Sequence, residues 1–379
     1  MTDFVAYLGA AWLGIAASLF SVSCVCGLLQ PYLRHRSAIN RDRPPISAIL
    51  PIKLSNPGFE RAQSSLFEQD YPDYEVLVGA AEDASPALDE MRHIASAHPK
   101  VPCRFRHSAE SIAVSPKLNT IAAPLNAARH DFIFTKDSNI TLDARGLSAF
   151  MRNFTSGVGL VVAVPVAVRP TNFPGHIEAY LINGHARLLL TASVLGVGFG
   201  VGKTMLFRRS DLARAGGIRA LSHTLSEDTA LAMEFARLGL KTVFCHRAIA
   251  QETGARSFAE IYARQLRWSV IRRKNERFTF PLEPLASPLP AAIAAALAAP
   301  LIIAPAWAAF AVALAGWFFA ETLFAAVKGW EVSPWSPLAF LGREILALSS
   351  WLHAFTTYEV VWAERRFDAR KGALDETRI

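Results

Sequence analysis

Long uninterrupted apolar runs lie towards both ends of this chain. Residues 4–33 contain no charged side chain, and residues 285–327 contain one, Glu321. About 20 apolar residues suffice to cross the hydrocarbon core of a bilayer, which is roughly 30 Å thick. The pattern therefore predicts one transmembrane helix over 4–33. Because the second run is longer than one crossing, it predicts two passes over 285–327 that fold back near Pro300 and Pro305.

A third apolar run, residues 337–363, contains Arg343 and Glu344. A charge at the bilayer centre costs about 3 kcal/mol. We therefore interpret this run either as a helix whose charges face its neighbours or as a helix at the membrane interface. With it, we expect a C-terminal membrane region over 285–363, three or four passes in the chain, and a basic cytoplasmic tail over 364–379.

The middle of the chain, residues 38–280, alternates short β-rich runs with segments of helical periodicity. Strands that alternate with helices indicate an α/β domain with a mostly parallel sheet and helices on both faces. Ligands in such domains bind beyond the carboxyl ends of the strands. The predicted strands cover 46–52, 74–80, 132–135, 159–168 and 242–245, and the predicted helices cover 59–67, 87–97, 145–154 and 229–238.

Composition and charge narrow the class of protein. Apolar residues make up 52% and charged residues 19%, which excludes a disordered chain and a highly charged coiled coil. The four cysteines match neither a disulfide framework nor a zinc pattern. The net charge of +7 is concentrated beside the apolar runs, at residues 34–43 and 264–277. Because cations follow the first run rather than precede it, we expect an anchor rather than a signal peptide, a domain on the cytoplasmic face, and lipid rather than nucleic acid as partner.

Acidic residues follow two of the predicted strands. Asp137 comes directly after the strand 132–135. A carboxylate there, together with a diphosphate, can hold Mg²⁺ or Mn²⁺, although Asp-Ser-Asn is also common turn chemistry. Glu82 and Asp83 follow the strand 74–80, where a solvated loop is the alternative.

Glu227 and Asp228 stand at the start of a predicted helix. They are candidates for acid-base chemistry or, alternatively, for helix capping. The glycine-rich segment 196–204 fails the phosphate-loop pattern, since Val197 occupies the place of its first glycine, and is interpreted as a flexible turn beside a pocket. His185 lies in a polar patch and has either a structural or a functional role.

A basic segment precedes the second apolar run. Arg264 and Arg267 are three residues apart, on one helix face, where they can clamp a diphosphate with Trp268 beside them. Attraction to anionic lipid is the alternative, and the two roles are compatible.

These motifs also resemble those of a known family when they are taken in order. Asp-Ser after a strand, Glu-Asp before a helix and Arg-x-x-Arg-Trp before a membrane segment resemble the processive-type family two glycosyltransferases and, more closely, the ceramide glucosyltransferase family. The likeness runs from about Pro45 to Trp268 and returns at residues 343–344. Further matching segments are Pro51-Ile52-Lys53, Asp70-Tyr71-Pro72, Tyr74-Glu75-Val76-Leu77, Pro116-Lys117-Leu118-Asn119 and Ala215-Gly216-Gly217.

The resemblance implies a GT-A fold that binds a UDP-sugar and a divalent metal, with Mg²⁺ or Mn²⁺ at Asp137. It implies Asp228 as the catalytic base and His185 as an active-site residue. Ser85 stands where the family has an aspartate that contacts the uridine, so Asp83 or Glu82 would make this contact from a shifted loop. Binding of donor or acceptor is implied for Lys53, Asp83, Lys117, Glu227, Arg264, Arg267 and Trp268.

Sugar transfer from a diphosphate to a hydroxyl requires positive charge at the leaving group and a base for the hydroxyl. With Asp228 as the base and no evident nucleophile, a single inverting displacement is expected. We therefore expect a membrane enzyme that transfers a hexose, most simply glucose from UDP-glucose, to the hydroxyl of ceramide. Diacylglycerol and a hopanoid are alternative acceptors. A polysaccharide synthase, which needs a channel, and a non-catalytic membrane scaffold are alternatives of other classes.

Overall fold

The computed structural model describes residues 2–34, 39–82, 84–108, 111–362 and 365–369. The strands are β1 (Ile46–Ile52), β2 (Tyr74–Ala80), β3 (Cys103–His107), β4 (Phe132–Lys136), β5 (Ile140–Thr141), β6 (Val158–Val162), β7 (Pro165–Pro170), β8 (Thr204–Arg208), β9 (Lys241–Phe244), β10 (Ile249–Gly254), β11 (Glu359–Trp362) and β12 (Arg365–Asp368). The α-helices are α1 (Thr2–Arg34), α2 (Phe59–Phe67), α3 (Pro86–Ala97), α4 (Pro116–Ala127), α5 (Gly146–Asn153), α6 (Phe173–Val194), α7 (Arg209–Arg214), α8 (Glu227–Arg237), α9 (Phe258–Asn275), α10 (Pro288–Ala298), α11 (Ala306–Val327) and α12 (Ser336–His353).

The middle domain is built on a mixed sheet with the strand order β3-β2-β1-β4-β8-β6-β9. Strands β1, β2, β3 and β4 are parallel, and β6 is parallel to β9, as the alternating pattern predicts. Strand β8 is antiparallel to both of its neighbours. The carboxyl ends of the other strands and the amino end of β8 therefore meet at one edge of the sheet.

The predicted strand 159–168 is two strands in the structure. Strand β6 belongs to the main sheet, whereas β7 pairs with β10 in a second sheet of order β5-β10-β7. The change of sheet coincides with Pro165, the first residue of β7 and a residue that cannot donate to a strand ladder. Strand β5 follows β4 closely, so the second sheet flanks the carboxyl edge of the first.

Apolar side chains cover both faces of the main sheet. One group of buried side chains joins β1, β2 and β4 to α2, α3 and α5. A second group joins the opposite face to α4, α6 and α8. The predicted arrangement of a sheet with helices on both sides is thereby confirmed.

Within the described residues, two helices are long and apolar enough to cross a bilayer, namely α1 over Asp3–Leu33 and α11 over Ala306–Val327. Helix α10 is only about 16 Å long at 1.5 Å per residue. The segment Pro288–Ile302, which continues α10, forms with the preceding 3-10 helix Phe280–Ala286 a bent pair with an angle of 65° that would make a third span if counted as one. The break between α10 and α11 falls at residues 299–305, where the sequence predicts a fold-back.

Helix α12 carries the charges of the third apolar run and packs on α6 and α9. The Arg343 guanidinium donates to Glu321 Oε1 at 2.6 Å and to Glu321 Oε2 at 3.1 Å, and it lies 2.8 Å from Glu344 Oε1. All three side chains are 8% exposed. The charges therefore face neighbouring helices. The helix ends at His353. Strand β11, at the end of the predicted run, pairs antiparallel with β12, which lies in the segment predicted as a tail.

Replacing Arg343 with methionine is expected to lower the free energy of unfolding by about 3–5 kcal/mol, because it leaves Glu321 and Glu344 buried without their cation. Adding Glu321→Gln to that variant should recover part of the loss. Denaturation of the detergent-solubilised protein, monitored by tryptophan fluorescence, measures the free energy of unfolding of the single and the double variant. Arg237→Met is the matched control, since it removes an exposed pair with Glu234 and should cost less than about 1 kcal/mol. An equal cost for both arginines would contradict the structural role of the buried cluster.

Candidate active site

Asp137 lies at the carboxyl end of β4, beside the start of the antiparallel strand β8. The register pairs Lys136 with Thr204. One step further, the Asp137 N–H donates to the Lys203 carbonyl at 3.0 Å. The Lys203 Nζ lies 3.1 Å from Asp137 Oδ2. Asp137, which follows β4, and Lys203, which precedes β8, thus lie together because these two strands are antiparallel.

Lys117, in the first turn of α4, links Asp137 to a second acidic residue. Ser115 caps this helix with its side chain. The Lys117 Nζ lies 2.7 Å from Asp137 Oδ1 and 3.3 Å from Glu227 Oε1, and it also donates to the Gly202 carbonyl. The structure therefore brings three of the sequence-predicted site residues into one ionic cluster.

The charges in this cluster shift one another's pKa. Burial alone would lower the pKa of Lys117, but Asp137 and Glu227 outweigh it and raise that pKa. Burial alone would raise the pKa of Asp137, but Lys117 and Lys203 outweigh it and hold that pKa below its usual range. Burial raises the pKa of Glu227, with Lys117 opposing and Asp228 adding to the rise. The cluster thus presents an ionised Asp137 between two ammonium groups.

Asp228 lies in the first turn of α8, next to the same cluster, and is partly exposed. Its Oδ2 accepts the Gly202 N–H at 2.6 Å and its Oδ1 accepts the Thr229 N–H at 2.8 Å. These backbone donors orient the carboxylate, and each oxygen retains a lone pair for a further proton donor. Ser226, the residue before the helix, makes no side-chain cap. The carboxylate of Asp228 is therefore both oriented and accessible.

The glycine-rich loop 196–204 packs tightly against the start of α8. A Cβ atom on Gly200 would lie 2.1 Å from the Asp228 carbonyl oxygen, and one on Gly198 would lie 1.8 Å from the Thr242 carbonyl oxygen. Both distances are shorter than any van der Waals contact, so glycine is required for this close approach. The loop thereby places Lys203 in the site, a residue that the sequence interpretation missed.

The basic helix α9 contributes Arg267 to the electrostatics of the cluster. Burial and the neighbouring Arg264 lower the pKa of Arg267 to about 10, while Glu227 and Asp137 act in the opposite direction. Arg264 is ion-paired with Glu178, a buried carboxylate on α6. Of the two predicted diphosphate-binding arginines, Arg264 is therefore held by a protein carboxylate in this structure.

Trp268 and His185 connect α9 to α6. Their ring centroids are 6.5 Å apart in an edge-to-face arrangement. The His185 Nδ1 lies 2.9 Å from the Leu181 carbonyl oxygen. Desolvation by the surrounding protein and, next, the cation of Arg272 lower the pKa of His185 to about 4. His185 is therefore neutral near pH 7.

The ends of β1 and β2 form the remaining part of the predicted site. Lys53 follows β1 and Glu82 follows β2, and both are exposed. Asp83 lies outside the described residues. The Ser85 hydroxyl accepts the Leu88 N–H at 3.3 Å and caps α3. Ser85 thus has a structural role at the position where the family has its uridine-binding aspartate.

Two further residues that the sequence interpretation missed hold the turn after Asp137. The buried Lys136 donates from Nζ to the Ile140 carbonyl at 2.7 Å, and burial lowers its pKa to about 7. Glu252 on β10 accepts the Thr141 hydroxyl at 2.6 Å. A lysine at the end of a buried strand is the sequence signal for Lys136, whereas the pairing of Glu252 with this turn through β10 is visible only in the fold.

Glu252 provides a prediction for the pH dependence of stability. Arg169 and Thr141 outweigh the effect of burial and lower its pKa. A carboxyl group with a lowered folded-state pKa stabilises the fold above its ordinary value of about 4.3, and this contribution is lost as the pH falls below that value. We expect the unfolding temperature to fall less steeply from pH 5 to 3 in Glu252→Gln than in the unmodified protein. Glu60→Gln, at an exposed position, is the control and should follow the unmodified protein.

The donor set around Asp137 limits how a metal ion can bind. No group of three or more His, Cys, Asp or Glu side chains within the described residues is arranged to hold a metal ion. The Asp137 side chain is 22% exposed and already attracts two ammonium groups. Mg²⁺ and Mn²⁺ are commonly bound by one or two carboxylates together with phosphate oxygens and water. The residues therefore fit a divalent ion whose coordination a bound diphosphate completes.

Comparison with known proteins identifies relatives along most of the chain. A family model described as glycosyl transferase family 21 matches residues 10–375. Ceramide glucosyltransferase 1 of Caenorhabditis elegans is 23% identical over 256 residues, covering 67% of this chain and 55% of that protein. Ceramide glucosyltransferase 3 of the same organism is 22% identical over 264 residues, covering 69% and 58%. The chain thus spans little more than half the length of these relatives.

A solved structure is similar in fold. The mannosyltransferase PcManGT from Pyrobaculum calidifontis, determined in complex with GDP-Man and Mn²⁺, has a TM-score of 0.50 and 17% sequence identity. The match covers 91% of this chain and 99% of that chain. This likeness confirms the predicted GT-A fold.

Proposed function

The chain belongs to glycosyl transferase family 21, and from this premise we propose that it transfers a hexose from a UDP-sugar to the hydroxyl of a membrane lipid. The preferred acceptor is ceramide and the preferred sugar is glucose, because the relatives reported above are ceramide glucosyltransferases. The observation that carries the proposal is the cluster of Asp137, Lys117 and Glu227 beside Asp228. It combines cations for a diphosphate with an oriented carboxylate.

The donor diphosphate is proposed to bind at the carboxyl edge of the sheet. Lys117, Lys203 and Arg267 supply positive charge there. Asp137 would hold Mg²⁺ or Mn²⁺, which when bound neutralises charge on the leaving diphosphate. Lys53 and Asp83, after β1 and β2, would contact the nucleoside end of the donor. Positive charge at the leaving group favours departure of UDP.

Asp228 is proposed to be the general base. It accepts the proton of the lipid hydroxyl while that oxygen attacks the anomeric carbon. The bond from the anomeric carbon to the diphosphate oxygen breaks, and its electron pair leaves with UDP. The carboxylate is well suited to this step because Gly202 and Thr229 fix its orientation through backbone N–H groups. One displacement of this kind inverts the configuration of the sugar.

The acceptor is proposed to arrive from the bilayer on the side of α6 and α9. Helices α1 and α11 would span the membrane, with the GT-A domain on the cytoplasmic face beside the basic residues. His185 on α6 and Trp268 on α9 lie edge to face, with their ring centroids 6.5 Å apart. The neutral His185 offers a hydrogen bond to a lipid hydroxyl, and Trp268 offers an apolar surface.

The experiment uses the purified full chain in detergent or nanodiscs with Mg²⁺ or Mn²⁺. Radiolabelled UDP-glucose is supplied together with ceramide, diacylglycerol or a hopanoid alcohol, and the lipids are separated by chromatography. A labelled ceramide band is the expected result. Label on another lipid would change the acceptor, and label in insoluble polymer would indicate a polysaccharide synthase. No transfer from any UDP-hexose would contradict the proposed reaction.

A further inference from the structure

Both carboxylate oxygens of Asp137 bind lysine, and the two lysines are held very differently. Lys117 Nζ contacts Asp137, Glu227 and the Gly202 carbonyl, and its side chain is 13% exposed. Lys203 has a side chain that is 26% exposed. Within the part of the chain that the structure describes, Asp137 is the one group that accepts a hydrogen bond from Lys203 Nζ. Lys117 is thus fixed by several partners, whereas Lys203 depends on Asp137.

The backbone of Lys203 is nevertheless fixed at the site. Its carbonyl accepts the Asp137 N–H at 3.0 Å, and the next residue, Thr204, is buried in β8 opposite Lys136. A lysine side chain has four rotatable carbon–carbon bonds, so its ammonium can move by several ångströms while its Cα remains in place. The ammonium of Lys203 can therefore leave Asp137 without any change in the fold.

We propose, on the basis of the function proposed above, that Lys203 competes with the divalent cation for Asp137 and becomes a ligand of the donor diphosphate when the cation binds. Two cations that bind the same carboxylate in a partly buried site lie close enough to repel each other strongly. The arriving diphosphate supplies new anionic oxygens within reach of the displaced ammonium. Lys203 therefore binds Asp137 when the donor is absent and the donor diphosphate when the cation and the donor are bound.

This exchange has a further consequence for how the cation and the donor bind. Without the donor, the two lysines neutralise Asp137 and limit binding of the cation by the protein alone. With the donor, the diphosphate both completes the coordination of the cation and accepts Lys203. Binding of the cation and of the donor should consequently be cooperative.

The test compares Lys203→Met with the unmodified full chain, using Lys100→Met as the matched control at an exposed position. Mn²⁺ binding without a nucleotide is measured by electron paramagnetic resonance, and UDP binding at saturating Mn²⁺ is measured by calorimetry. We expect Lys203→Met to bind Mn²⁺ several-fold more tightly, because the competitor is gone. We expect it to bind UDP about tenfold more weakly, because one charge-assisted hydrogen bond is lost.

These opposite changes distinguish the exchange from simple structural damage, which would weaken both ligands. Lys203→Arg retains the cation and should resemble the unmodified protein more closely, and Lys203→Gln replaces the methionine variant if that variant does not fold. Mn²⁺ affinity that is unchanged or weaker, or unchanged UDP affinity, would overturn the proposal. If the unmodified protein binds Mn²⁺ but no UDP-sugar or UDP, the proposed function fails, and the exchange, which requires the diphosphate, fails with it.

Discussion

Replacing Asp228 with asparagine is expected to lower the turnover number by about 10²–10⁴-fold, the usual contribution of general base catalysis. Asparagine has nearly the same shape as aspartate, and its side-chain oxygen can still accept the Gly202 N–H that aspartate accepts at 2.6 Å. It cannot take the proton of the acceptor hydroxyl. The loss should therefore appear in kcat, while the affinity for UDP measured by calorimetry should change little.

Asp73→Asn is the matched control for this substitution, because Asp73 is an exposed aspartate outside the site. It should retain the activity of the unmodified protein. The conformation of both variants can be compared by circular dichroism and thermal unfolding. Normal turnover in Asp228→Asn would rule out the role of Asp228 as base. A loss of UDP binding equal to the loss of turnover would indicate a binding role instead.

Replacing Asp137 with alanine is expected to abolish the dependence of donor binding on Mn²⁺. Asp137 is the carboxylate that contacts both Lys117 and Lys203, at 2.7 Å and 3.1 Å. Without it, a cation would have only the diphosphate and water as ligands. We expect UDP affinity in the presence of Mn²⁺ to fall by about 100-fold, which corresponds to roughly 3 kcal/mol of lost charge stabilisation.

Calorimetry with and without Mn²⁺ measures this effect directly. Asp89→Ala is the control, since its side chain is 70% exposed and forms a surface pair with Arg92. Removal of Mn²⁺ by a chelator should weaken UDP binding in the control but have little further effect in Asp137→Ala. An equal gain in affinity from Mn²⁺ in both variants would show that Asp137 does not hold the metal.

Residues whose placement follows from local sequence were predictable. Asp137 comes directly after the buried strand β4, and Asp228 lies in the first turn of α8, as the strand and helix patterns predict. Lys117 was predicted from the resemblance to the family motif, and the structure places it between Asp137 and Glu227. In each case the signal is a charged residue at the boundary of a regular element.

Lys203 and Glu252 were not predictable in the same way. Lys203 reaches Asp137 because β8 runs antiparallel between β4 and β6, and nothing in a single sequence specifies that direction. Glu252 reaches the turn after Asp137 through the pairing of β10 with β5. Both contacts depend on the order and direction of strands that are distant in sequence.

The membrane part of the chain shows a similar limit. Hydropathy located α1 and α11, because long apolar runs have few alternative structures in a chain of this composition. It did not specify the partner of Arg343. The pairing with Glu321 follows from the packing of α12 against α11, which brings together residues that lie 22 positions apart.

The most direct measurement of the central claim is the anomeric configuration and stoichiometry of the product. The purified chain is incubated with an α-linked UDP-hexose, Mg²⁺ and the best acceptor lipid, and the glycolipid is analysed by proton NMR while released UDP is counted. A single inverting displacement predicts a β-linked lipid and one UDP per lipid formed, with both products formed about 10²–10⁴-fold more slowly in Asp228→Asn. An α-linked lipid, or UDP released without a glycolipid, would contradict a direct transfer to a lipid hydroxyl with Asp228 as the base.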